Sequence, residues 1–85
     1  MAETRTYTIR GDPEAMLDGL RAALPTGASL EGDSTHGQIS AVLIGKIVTY
    51  GRTGTALTVT VHRSAPGRSI PQIWDLIERG LSRFV

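Results

Sequence analysis

Two histidines, no cysteine and eight carboxylates set the chemistry open to this 85-residue chain. His36 follows Asp33, Ser34 and Thr35 directly, residue types that elsewhere build a Ser/His/Asp nucleophile or a metal site. A triad needs groups that converge from different elements of a rigid pocket, and four residues in a row share one turn. Asp, Ser and Thr also bond their own backbone in tight turns, so turn chemistry accounts for the cluster. His62 alternates with Thr58 and Thr60, which puts it on the outer face of a strand. Zinc requires three or four ligands, and no third ligand accompanies the two histidines. Asp12 and Glu14 are paired carboxylates by spacing, but before an apolar helical stripe they read as an N-cap and a partner for the helix dipole. Gly51-Arg52-Thr53-Gly54 lacks the Gly-Lys-Ser/Thr ending and the strand-to-helix setting of a phosphate loop, and reads as a hairpin turn. No catalytic residue, cofactor site or metal site is expected, and the chain reads as a non-enzyme.

Arg10, Arg52, Arg63 and Arg68 form at most a weak basic rim. Nucleic-acid binding asks for clustered cations with aromatic residues interleaved for stacking. The aromatic residues Tyr7, Tyr50, Trp74 and Phe84 all fall in the apolar pattern instead, so weak nucleic-acid binding ranks last among the binding functions. The net charge is +1, from nine basic and eight acidic residues, and gives no field to gather polyanions. Eight of the nine basic residues are arginine. No apolar run approaches the roughly 20 residues that span a bilayer. Met1 to Arg10 has no apolar stretch like that of a secretory signal, and a cytoplasmic location is expected.

These residues must be positioned by a single domain, residues 1–85. A chain this short buries only about 60% of its unfolded surface. With no disulfide to add stability, a second copy of the chain is a natural source of further buried area. The pattern reads as α+β in the order β-α-β-β-β-β-α, an antiparallel sheet of about five strands with two helices packed on one face. Thr4 to Arg10 alternates, with Tyr7 and Ile9 on one side and Thr4, Thr6 and Thr8 on the other. Asp12 caps a helix that begins at Pro13 and carries Met16, Leu17, Leu20, Ala23 and Leu24 on one stripe, until Pro25 and Gly27 stop it.

Three proposed hairpins then agree with one another. A turn at Ser34-Thr35 sets Leu30 opposite Ile39 and Ala28 opposite Ala41. A turn at Gly45-Lys46 sets Leu43 opposite Val48 and Ala41 opposite Tyr50. A turn at Thr53-Gly54 sets Tyr50 opposite Leu57 and Val48 opposite Val59. All three place the same residues on one face, and a slip of one residue in any of them destroys that agreement. Beyond the loop at Ser64 to Ser69, Ser69 and Gln72 have capping-box spacing. Ile70, Ile73, Trp74, Ile77, Leu81 and Phe84 recur every three or four residues, the period of an amphipathic helix running to the C-terminus. Gly80 weakens that helix by about 1 kcal/mol relative to alanine.

This order resembles the small bacterial polyhydroxyalkanoic acid system proteins. The likeness rests on Leu30-Glu31-Gly32-Asp33, Gly37-Gln38-Ile39, Gly45-Lys46-Ile47-Val48, the Leu57/Val59/Val61 strand and the Ile73/Ile77/Leu81 helix. It covers nearly the whole chain and is carried by glycine and apolar spacing. It implies a layout similar to one repeat of the TATA-binding protein and a non-enzymatic accessory role at a storage-granule surface.

One segment exceeds what a core strand requires. Ala41 to Val48 is apolar on both faces, so Val42, Ile44 and Ile47 point outward in the proposed register. Thr49, Thr58 and Thr60 surround them. Contiguous apolar patches mark contacts. The expectation is an interaction module that forms a homodimer, or docks on a hydrophobic partner or granule, through this face. The alternative is a small-molecule pocket between the sheet and the C-terminal helix, near Trp74, Tyr50 and Tyr7.

Overall fold

The structure, a computed structural model, describes residues 2–41, 45–64 and 67–85. The elements follow the hydrophobic period of the chain: β1 (Glu3–Thr8), α1 (Pro13–Ala23), β2 (Ala28–Gly32), β3 (His36–Ala41), β4 (Gly45–Thr53), β5 (Ala56–Val61) and α2 (Ile70–Leu81). The fold is α+β. Five antiparallel strands form one sheet in the order β1-β5-β4-β3-β2. The last strand of the meander pairs with the first strand of the chain, Tyr7 opposite Leu57 and Thr4 opposite Thr60. No helix among the described residues is long and apolar enough to cross a membrane.

The helices start where the caps place them. The Asp12 side chain accepts the Glu14 amide at 3.2 Å, and Pro13 occupies the first turn, where a missing N–H costs nothing. At α2 the Gln72 side chain accepts the Ser69 amide at 2.8 Å. Met16, Leu17 and Leu20 of α1 and Ile73, Trp74, Ile77 and Leu81 of α2 are buried against the inner sheet face. That face supplies Ile39, Val48, Tyr50, Leu57, Val59 and Val61.

The helices cross where two glycines meet. A Cβ added at Gly19 would lie 2.9 Å from the Gly80 carbonyl oxygen, and one at Gly80 would lie 3.2 Å from the Ala23 Cβ. Gly80 therefore gives up intrinsic helix stability for close backbone approach. The helix ends at Leu81 rather than at the C-terminus. Phe84, the last residue of the expected helical stripe, is half-buried beside Gly11 and Gly19, and its carbonyl accepts the Arg10 amide.

The first hairpin has the proposed register, Leu30 opposite Ile39 and Ala28 opposite Ala41. The other two are displaced by even numbers of residues as far as a bulge in β4, which keeps Val48, Tyr50, Leu57 and Val59 on the proposed face. The β4–β5 turn is Gly54-Thr55, not Thr53-Gly54, so Tyr50 pairs with Val59 and Val48 with Val61. Gly54 takes φ +60° there, the left-handed backbone this tight turn requires. Between β3 and β4, Gly45-Lys46 is not the turn but the start of β4, and Tyr50 faces Gly37 rather than Ala41.

Ile47 corrects the proposed contact patch. The register shifts between Ile39, opposite Val48, and Ser40, opposite Lys46, leaving Ile47 as an extra residue. Such a bulge breaks the strict alternation of a strand. Ile47 and Val48 are consequently both buried, at 5% and 2% exposure, and Ile47 does not point outward. Val42 and Ile44, the other members of the apolar trio, lie outside the described residues, as does Leu43.

Candidate functional site

The groups that suggested chemistry are held in local roles. The Asp33 carboxylate accepts the Thr35 amide at 2.8 Å and the His36 amide at 3.0 Å. These bonds, from His36 and then Thr35, hold its pKa below the usual carboxylate range. The His36 ring lies 3.8 Å from Asp33 and is exposed. Arg52 donates from Nε to the Ser34 carbonyl at 2.8 Å and from a terminal nitrogen to the Gly54 carbonyl at 2.6 Å, tying two turns together. Tyr50 lies across Gly37 and donates its hydroxyl to the Asp33 carbonyl at 2.6 Å. Burial first, then the nearby Asp33 charge, raise its pKa. On the far side, Arg5 stacks 4.5 Å from the centre of the Trp74 ring. Arg5 and Tyr7 both donate to one Glu78 oxygen, at 3.1 and 2.9 Å. Burial, followed by this bond, pushes the Tyr7 phenol up. Among the described residues no three His, Asp or Glu side chains converge as metal ligands.

The face away from the helices is a hydroxyl surface. Register places Thr49 beside Thr60, Thr60 beside Thr4, and Thr58 beside Thr6. The Thr4 and Thr60 oxygens are 3.0 Å apart, and Thr49 meets the His62 Nε2 at 2.7 Å. Thr49, Thr58 and Thr60 thus lie together on the open face, without Ile47.

The helix side holds a feature of another kind, an apolar groove of about 400 Å³. Its floor is Ile39, Ala41, Ile47 and Val48 of the sheet. One wall is Ile73, Leu76 and Ile77 of α2, and the other is the Leu24–Ala28 connection after α1. Leu24, Ala28, Ala41 and Leu76 are apolar yet only half-buried, because they border the opening. Arg68 is the one charged residue among the described residues of the lining. A pocket between sheet and α2 is present, but not beside Trp74, Tyr50 and Tyr7, which fill the opposite half of the layer. The bulge delivers Ile47 to the groove floor. Two consecutive apolar residues at Ile47-Val48 inside an otherwise alternating strand are the signal that marks it.

Comparison with known protein families, with curated proteins and with solved structures yields no match.

Proposed function

We propose that this protein is a non-catalytic binding domain that takes a small apolar ligand into the groove between the sheet and α2. The observation that carries this reading is the groove itself. Its volume, about 400 Å³, falls in the range of small-molecule sites. Its lining is apolar, with polar groups at few points, the usual division between affinity and orientation. The Asp33/Ser34/His36 cluster supplies no competing enzymatic reading, since its acceptor is used on its own backbone.

The test is titration with N-phenyl-1-naphthylamine, an uncharged dye that brightens in apolar sites. Ala28→Phe, which places a ring in the groove from edge strand β2, should abolish the brightening and leave the melting temperature level or higher. A wild-type protein that leaves the dye dark, or a folded Ala28→Phe variant that binds it unchanged, overturns the reading.

Self-association through the open face has separate support. The helices cover one side of the sheet only, and Thr4, Thr6, Thr49, Thr58 and Thr60 make an uncharged area on the β1-β5-β4 part of the other face, with Glu31 toward the β2 edge. Depletion of charge is the compositional mark of an interface core. A homodimer by light scattering that becomes a folded monomer on Thr58→Lys supports it; a wild-type monomer at tens of micromolar (a range suited to weak dimers) refutes it.

A further inference from the structure

The polar content of the groove narrows the ligand. Arg68 is half-buried in the lining, and among the described residues no carboxylate lies within 4.0 Å of it. A guanidinium at an apolar site pairs best with a planar, two-oxygen anion, which meets its paired N–H groups side by side. Among the described residues the remaining lining has one side-chain hydroxyl, Thr26, and no aromatic ring. A nucleobase, flavin or other heterocycle would find neither a stacking surface nor a row of hydrogen-bond partners. Ile39, Ile47, Val48, Ile73 and Ile77 offer aliphatic contact that is indifferent to orientation, as a flexible hydrocarbon tail requires.

We infer that the groove binds a single-chain aliphatic carboxylate, with its tail between the sheet and α2 and its head on Arg68. This rests on the groove being a ligand site. The volume of about 400 Å³ is at the small end for ligand pockets, which suits one chain and not a two-chain lipid or a fused-ring sterol. Affinity then rises with chain length while methylenes still enter the groove, by roughly tenfold for each two added.

The experiment is displacement of N-phenyl-1-naphthylamine from the full chain by octanoate, decanoate, dodecanoate and dodecanol, the carboxylates below their micelle concentrations and the alcohol below its solubility limit. Wild type should release the dye at roughly tenfold lower dodecanoate than dodecanol, the effect of one charge-assisted pair that is partly solvated. Arg68→Gln should erase that preference, read as the ratio of dodecanoate to dodecanol affinity within the variant, and Arg68→Lys should restore part of it. Circular dichroism establishes that each variant is folded. If the dye binds but dodecanoate and dodecanol compete equally, or Arg68→Gln retains the preference, the carboxylate assignment is overturned and the apolar groove stands. If the dye does not bind wild type, both fall together.

Discussion

Replacing Gly19 with alanine separates helix propensity from helix packing. In an isolated helix the change is favourable by about 1 kcal/mol. In this fold the new Cβ would sit 2.9 Å from the Gly80 carbonyl oxygen and 3.3 Å from the Phe84 ring. The oxygen belongs to the backbone of α2, so relief requires the whole helix to retreat by several tenths of an ångström. That motion loosens Leu20 and Leu81, both buried in the shared core. Overpacking of this kind costs about 1–3 kcal/mol, so a net loss of up to about 2 kcal/mol remains after the propensity gain. For a domain of this size each kcal/mol moves the melting temperature by about 4–8 °C. Gly80→Ala should do less harm, because its closest contacts are at 3.2 Å and the same propensity gain offsets them. Thermal and urea unfolding by circular dichroism measure both changes. Ala22→Gly, at an exposed position of α1, calibrates the propensity term by itself. A higher melting temperature for Gly19→Ala would show that the helices do not touch there and would refute the reasoning.

Other perturbations test the remaining contacts. Gly37→Ala should destabilise by about 2–4 kcal/mol, since its Cβ would come within 2.5 Å of both the Tyr50 hydroxyl and the Glu31 carbonyl. Combined with Tyr50→Phe, which removes that hydroxyl, the loss in urea unfolding should be less than the sum of the two single losses. Strict additivity would place Tyr50 away from Gly37. The depressed pKa of Asp33 means that the folded state favours the carboxylate, so its contribution is present above the ordinary carboxylate pKa and lost as pH falls through the lower folded value. The stability gap between wild type and Asp33→Ala should therefore shrink between about pH 5 and about pH 2, and a gap that is constant with pH contradicts the turn bonds. Trp74→Ala should cost about 3–5 kcal/mol, comparable to the whole stability of a small domain, and a mutant that melts like wild type excludes the helix-on-sheet packing of this residue.

What the sequence alone determined is the facing of nearly every strand residue. Side chains alternate with a period of two, so errors of two or four residues in the β4–β5 and β3–β4 pairings left Val48, Tyr50, Leu57 and Val59 on the core side. The helix starts were equally readable, because Asp12-Pro13 and Ser69 with Gln72 act through neighbours in the chain. The Ile47-Val48 pair breaks the alternation of β4, but the face that Ile47 takes was not readable from it, since a bulge is an odd slip whose position depends on how β3 and β4 pair across space. The same holds for the glycines. Gly80 looks like a flaw in a helix until Gly19 is seen against it, and Gly37 looks like a turn residue until the Tyr50 ring lies across it. The groove belongs wholly to the tertiary level. It depends on how far α2 stands from the sheet beyond the Gly19–Gly80 crossing. That separation is set by side chains meeting from distant parts of the chain, and no local pattern encodes it.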